Sequence, residues 1–193
     1  MKETLYIIIF VIVFYIVFIL KDGTLVGFKI DDNIIYVRDG SDMRRSADLL
    51  NILINNMFQL RDYLVNNIDD FPTNREYIML LKQNFTRLRT KIYETSFNSS
   101  YTSYAVNKGE ELAFCIRCKP SGELHDINLL LYVAIHEMAH TACPENGHTP
   151  LFNKIFRFML EQAVKMNLYT YDDYSQNPVV YCGMKLYTNI LNN

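Results

Sequence analysis

Residues 126–143 read DINLLLYVAIHEMAHTAC. Apolar side chains occur on nearly every side of this segment, which is typical of a helix that is buried in a protein core. The segment also carries two histidines and a glutamate, and burying such groups costs free energy unless something binds them. We therefore predict a buried helix from about Asp126 to Ala142 that carries a binding site.

The spacing of the polar residues on that helix is typical of a metal site. His136 and His140 lie four residues apart, so both imidazoles leave the same helical face and can bridge a divalent ion. Glu137 is rotated by about 100° from His136. That rotation places its carboxylate beside the ion's open position, where it can act as general base on a zinc-activated water. The alternative is a pair of hydrogen-bonded core histidines without a metal.

The chain after the helix offers a third ligand. Pro144 ends the helix, and the Asn-Gly pair at 146–147 can reverse the chain and return His148 to the site. Two helical histidines and one loop histidine leave a fourth position open, which is typical of catalytic zinc. We predict one Zn2+ per chain, held by His136, His140 and His148.

Two glutamates compete with His148 for the role of third ligand. Glu161 lies on the next predicted helix, which Thr149 opens as N-cap and Pro150 as first helical residue. At about 100° per residue, Glu161 points away from the apolar face of that helix and toward solvent. Glu145 precedes the reversing turn. Geometry therefore favours His148.

Two stretches of the chain resemble known proteins. HEMAH and GHTPLF, at 136–140 and 147–152, resemble the HExxH zinc metallopeptidases of the WLM and SprT-like kind, in which a third histidine is followed by an aromatic residue, here Phe152. LHDINLLLYVAIHEMAH and NPVVYCGM resemble small metallopeptidase-like proteins of large DNA viruses. The resemblance covers roughly residues 105–185 and implies a zincin-like metallopeptidase domain.

Composition limits the class of protein and its partners. The chain has 193 residues, of which half are hydrophobic, so it can form one globular domain with a core. The net charge is -2, with acidic and basic residues interspersed. Because no basic stripe is present, we expect no nucleic-acid partner. The expected partner is a protein or peptide substrate, and the oligomeric state stays open.

The N-terminus carries a long apolar run. Residues 5–20 read LYIIIFVIVFYIVFIL, without a charged side chain. Residues 4–20 are at the short end of the length of about 17–25 residues that spans a bilayer as a helix. A cleaved signal peptide would require small residues before the cut, and a buried core helix is the other alternative. We predict a single-pass membrane protein with its anchor at 4–20 and its sidedness open.

Residues 25–193 then form a predicted α+β domain. Two short strands, Leu25–Ile30 and Asn33–Arg38, precede a helical hairpin at about 43–93, whose second helix carries Ile92 on its apolar face. The catalytic part occupies about 101–185, and its strands are Ser103–Asn107 and Leu112–Cys118. The apolar stripe of the first hairpin helix consists of Leu50, Leu53, Ile54, Met57, Leu60 and Leu64.

Four cysteines could in principle form a thiolate zinc site, namely Cys115, Cys118, Cys143 and Cys182. The first two lie on a predicted strand, where an odd spacing sends side chains to opposite faces. We therefore expect buried, apolar cysteines.

The predicted function is that of a membrane-anchored zinc metallopeptidase. Glu137 would be the general base, and the strand Leu112–Cys118 could align an extended substrate through backbone pairing. Tyr181 and Tyr132 are candidates for stabilising an oxyanion. We expect His125, three turns before the metal ligands, to serve near the helix N-terminus. The alternative is a non-enzymatic, membrane-anchored interaction protein with a zinc or vestigial site.

Overall fold

A computed structural model of the chain describes residues 6–13, 25–31 and 33–192. These residues form a mixed α+β fold, as predicted. The helices are α1 (6–13), α2 (Met43–Asn66), α3 (Arg75–Asn84), α4 (Ile127–Ala142) and α5 (Pro150–Lys165). The strands are β1 (Leu25–Ile30), β2 (Asn33–Arg38), β3 (Lys91–Glu94), β4 (Ser103–Val106), β5 (Glu111–Phe114), β6 (Val179–Tyr181) and β7 (Met184–Leu186). Short 3-10 turns occupy Ile68–Asp70, Pro72–Asn74 and Ile190–Asn192.

Five strands form one mixed sheet in the order β1-β2-β3-β5-β4. The two outer pairs are antiparallel, whereas β3 is parallel to both of its neighbours. Within the described residues β4 pairs only with β5, so its outer edge is unpaired. Strands β6 and β7 form a separate hairpin.

The sheet packs on the helices through one face. Ile35 and Val37 of β2 are fully buried, whereas Tyr36 between them is 42% exposed. This alternation follows from the two-residue period of a strand that has one face in the core. The helices α2 and α4 cover that face, and every residue of the predicted apolar stripe of α2 is buried.

The predicted helical hairpin ends earlier than expected. Helix α3 stops at Asn84, and Phe85 has an extended backbone with φ -108° and ψ 94°. Thr90 N–H donates to the Thr86 carbonyl at 2.8 Å, and the chain then enters β3, where Ile92 pairs with Leu112. The spacing of the apolar residues fits a helix, but Ile92 is buried through a strand pairing that local sequence does not show.

The predicted membrane anchor is not present in the described part of the chain. No helix there is both long and apolar enough to cross a bilayer. Of the predicted span, the structure describes residues 6–13, which are helical. The rest of the predicted span, residues 4, 5 and 14–20, lies outside the described residues. On this finding the predicted membrane location is wrong.

A buried ion network fixes the segment that leads from the sheet to α4. Glu94, at the end of β3, is fully buried and accepts hydrogen bonds from Arg38 Nε at 2.7 Å and Arg117 Nε at 2.8 Å. Arg117 also pairs with Asp42 before α2 and donates to Ser46 Oγ at 2.5 Å. Since Arg117 lies three residues after the end of β5, these contacts hold the chain in place before it turns into α4.

Candidate metal centre and active-site cleft

Helix α4 forms where the sequence predicts it. The Asp126 side chain accepts a hydrogen bond from Asn128 N–H at 2.7 Å and caps the helix N-terminus. The helix crosses the core, with buried residues on most of its sides. His136 and His140 leave the one side that faces a cleft, and both are only partly buried.

The loop after α4 returns His148 to the helix, as predicted. Thr149 Oγ1 accepts a hydrogen bond from Phe152 N–H at 3.2 Å, and Pro150 is the first residue of α5. This cap fixes the start of α5 and therefore the position of the residue just before it. His148 Nε2 lies 2.9 Å from His136 Nε2 and 3.3 Å from His140 Nε2.

The three imidazoles fit a zinc ion. Tetrahedral zinc with Zn–N bonds of about 2.0–2.1 Å requires ligand nitrogens about 3.3 Å apart. The ligand atoms of the three histidines all lie within 4.8 Å of one another, and they form the only such group of three among the described residues. Two converging distances near the required spacing identify a cluster that could hold a metal ion.

The Phe152 ring packs against all three imidazole rings. Its ring stacks on His140 with centroids 4.2 Å apart and an interplanar angle of 26°. It also contacts the rings of His136 and His148, each at a centroid distance of 4.9 Å. Because Phe152 is itself buried, it limits the rotation of all three imidazoles.

The surroundings keep the helical histidines neutral. Burial lowers the pKa of His136 to about 3, with further contributions from His140 and His148. Burial also lowers the pKa of His140 to about 4, and the charges of His148 and Lys108 act in the same direction. Neutral imidazole is the form that binds a metal ion, so no proton must be removed at pH 7.

Glu137 lies beside the histidines on the wall of the same cleft. Its side chain is buried, and this burial raises the pKa of the carboxyl to about 8. The structure thus brings all four predicted site residues together.

The other two ligand candidates lie outside the cluster. Glu161 is exposed on α5, in agreement with the helical projection. The Glu145 carboxylate accepts a hydrogen bond from the Thr149 hydroxyl and lines the cleft, but it does not join the three histidines.

The cleft has a volume of about 780 Å3 and four walls. Helix α4 forms one wall, the unpaired edge of β4 forms the second, the β6–β7 hairpin forms the third, and the loop at 145–148 forms the fourth. The predicted substrate strand needs correction here, because β5 is paired on both sides and β4 is the edge strand. Sheet order depends on long-range pairing, so the order of strands along the chain could not reveal it.

The turn between β4 and β5 is hydrogen-bonded to the segment that leads to His148. Lys108 Nζ donates to the Cys143 carbonyl at 2.9 Å and to the Glu145 carbonyl at 2.6 Å. Gly109, with φ +103°, lies so close to α4 that an added Cβ would come within 2.9 Å of Thr141 Cγ2. The sequence did not predict that Lys108 holds this loop. Its position next to a glycine, in a predicted turn between two strands, is the local feature that could have indicated such a role.

The two tyrosine candidates differ in their hydroxyl contacts. The Tyr132 hydroxyl accepts from Ile190 N–H at 3.2 Å, so it contacts the C-terminal segment. The Tyr181 hydroxyl shares a hydrogen bond of 2.5 Å with the Ser103 hydroxyl on β4. Burial and the nearby Glu137 carboxylate both raise the pKa of Tyr181. Tyr181 is therefore the tyrosine that lies near the general-base candidate.

Three of the four cysteines are buried, as predicted, and Cys118 is half-buried. The sequence did not predict that two of them form a disulfide. Cys115 and Cys182 form a disulfide with Cα atoms 6.3 Å apart, whereas Cys143 is buried and free and Cys118 is free and half-buried.

His125 does not cap α4, since the Asp126 side chain does. Its Nε2 instead accepts the Cys182 N–H at 3.3 Å.

Comparisons with known proteins find relatives of this chain in two viruses. It is 36% identical over 171 residues to uncharacterized protein R325 of Acanthamoeba polyphaga mimivirus, a match that covers 89% of this chain and 86% of that protein. The chain belongs to the same protein family as that mimivirus protein. It is also 36% identical over 83 residues to uncharacterized protein 136R of Invertebrate iridescent virus 6, covering 42% of this chain and 46% of the relative.

Two further comparisons carry less information. No protein-family model matches the chain. The structure of Wss1 from Saccharomyces cerevisiae aligns with 48% of this chain and 72% of that chain, at 16% identity and a TM-score of 0.39. A score of that size does not establish a common fold.

Proposed function

We propose that the chain is a zinc-dependent peptidase with a zincin-like catalytic domain. In this proposal His136, His140 and His148 hold one zinc ion and Glu137 is the general base. The observation that carries it is the convergence of three imidazole nitrogens beside a buried carboxylate on the wall of an open cleft. Zinc bound there would supply Lewis acidity, which acidifies water and polarises a carbonyl group.

Residues of the chain would carry out proton transfer, oxyanion stabilisation and substrate binding. Zinc bound beside Glu137 would lower the raised pKa of this carboxyl, so that the carboxylate could accept a proton from the attacking water and return it to the leaving amine. The Tyr181 hydroxyl, which contacts the Ser103 hydroxyl, would donate a hydrogen bond to a developing oxyanion. The exposed backbone groups of β4 can pair with an extended peptide and present its carbonyl to the histidine cluster.

The number of ligands favours a catalytic site over a structural one. A structural zinc site closes its coordination shell with four protein ligands. Within the described residues, no fourth acidic, cysteine or histidine side chain joins the three histidines. A non-enzymatic interaction protein would also have no need of a buried glutamate beside the ligands.

A metal-dependence assay tests the proposal. Purified protein loaded with one equivalent of zinc is incubated with denatured casein and with a mixture of internally quenched peptides. We expect hydrolysis that 1,10-phenanthroline abolishes and that added zinc restores, while the non-chelating 1,7 isomer has no effect. Hydrolysis that survives chelation, or none in the zinc-loaded protein, would contradict the proposal.

A further inference from the structure

The β6–β7 hairpin has two different faces, and the cleft contacts only one of them. In the hairpin register Tyr181 pairs with Met184 and Val180 pairs with Lys185, so each pair projects to one side. Tyr181 and Met184 line the cleft together with Leu186, whereas Val180 and Lys185 do not. Met184 is 48% exposed, although it faces the site. A large apolar side chain is thus left uncovered beside the candidate catalytic residues.

Helix α4 contributes the opposite wall of the same region. Tyr132 and Val133 precede His136 by about one turn and also line the cleft. Their side chains and those of Met184 and Leu186 are apolar or aromatic. The other end of the cleft, next to His140, is polar and carries Lys108, Glu145 and Asn146. The cleft therefore changes from polar to apolar along α4, with Glu137 between the two ends.

The direction of β4 relates these ends to a bound peptide. Ser103 at the start of β4 contacts Tyr181 at the apolar end. Lys108, just after β4, contacts the Cys143 and Glu145 carbonyls at the polar end. Antiparallel pairing is the more stable kind, and an antiparallel peptide on β4 would run from the polar end to the apolar end. The residue that follows the scissile bond then reaches Met184.

We propose that Met184, Leu186, Val133 and Tyr132 form an apolar subsite that selects a large aliphatic or aromatic side chain directly after the scissile bond. This inference rests on the proposed peptidase function. Its physical basis is the removal of apolar surface from water on both partners, since an aliphatic side chain covers the exposed Met184. A charged side chain at the same position would lose hydration without gaining a partner.

A peptide library and one pair of variants test the inference. Cleavage products of a randomised library are mapped by mass spectrometry for the wild type, Met184→Lys and Val180→Lys. In the wild type, we expect kcat/KM for Leu, Met or Phe after the cut to exceed that for Ala by about 10-fold or more. Met184→Lys should remove this preference and favour Asp or Glu there. Val180→Lys adds the same charge on the opposite face, at a residue of similar exposure, 42%, and should leave the profile unchanged.

A binding measurement separates this inference from the proposed function. Peptides that differ only in Leu or Asp at the selected position are titrated into Glu137→Gln, with and without Met184→Lys, and fluorescence anisotropy is recorded. We expect at least about 10-fold tighter binding of the Leu peptide, reversed by Met184→Lys. Equal binding, or a cleavage profile without apolar preference, would overturn the subsite alone. Absence of all cleavage would overturn the peptidase proposal, while the titration would still decide the subsite.

Discussion

His148 is the residue on which the proposed metal centre depends most, because a loop and not the α4 helix supplies it. Replacing an outer-shell partner of a metal ligand costs about 10- to 100-fold in affinity, so removing a direct ligand should cost at least about 100-fold. We expect His148→Ala to lose zinc on dialysis, while Glu161→Ala and Glu145→Ala keep about one ion per chain. Zinc content measured by plasma mass spectrometry checks this.

Glu145→Ala and Glu161→Ala also serve as the matched controls for that experiment. Each variant removes a carboxylate that lies outside the histidine cluster and leaves all three imidazoles in place. If Glu161→Ala or Glu145→Ala emptied the site and His148→Ala did not, a glutamate would be the third ligand and the assignment of His148 would be wrong.

At the scale of single residues, the sequence reveals most of the candidate site. The four-residue spacing of His136 and His140 fixes a shared helical face whatever the rest of the chain does. His148 could be predicted because the turn before it and the cap after it are local features. The contact between Tyr181 and Ser103 spans 78 positions, so no local pattern could single out that tyrosine from the 14 in the chain.

At the scale of elements, the disulfide joins two parts of the cleft that are far apart in sequence. Cys115 follows β5, whereas Cys182 lies in the β6–β7 turn next to Tyr181, 67 residues later. Cross-links that close loops of this kind typically stabilise a fold by about 2–4 kcal/mol. We expect the double variant Cys115→Ala/Cys182→Ala to lose about that much unfolding free energy in urea titrations, and to lose catalytic rate because Tyr181 is less well held.

A buried cysteine outside the bond provides the control for that prediction. Cys143→Ala removes a buried thiol without breaking a cross-link, so it should cost clearly less stability. A double variant that is as stable as Cys143→Ala, with an unchanged rate, would show that the bond does not hold the hairpin.

The elements that sequence analysis placed well are those determined by local interactions. Helices α2, α4 and α5 follow from periodicity and from caps such as Thr149 and Asp126. The end of α3 was missed because Ile92 keeps a helical spacing from Phe85 and yet pairs with Leu112 in the sheet. Pairing with a residue 20 positions away overrides a local preference.

At the scale of the whole molecule, the α+β class could be predicted but the sheet order could not. Strand β3 inserts in parallel between β2 and β5, and this insertion determines that β4 is the free edge facing α4. The cleft therefore results from the topology of the entire domain and not from any one motif. The apolar N-terminal run predicted a bilayer span from composition alone, whereas no helix of the described residues is long and apolar enough to form one.

In the proposed mechanism Glu137 performs proton transfer beside a metal that it does not bind. Peptide hydrolysis by Glu137→Gln is compared with that of the wild type at matched, measured zinc content. We expect about one zinc per chain in both proteins and a rate that is lower in the variant by about 100-fold or more. Full activity in Glu137→Gln, or a loss of activity that only follows a loss of zinc, would contradict it.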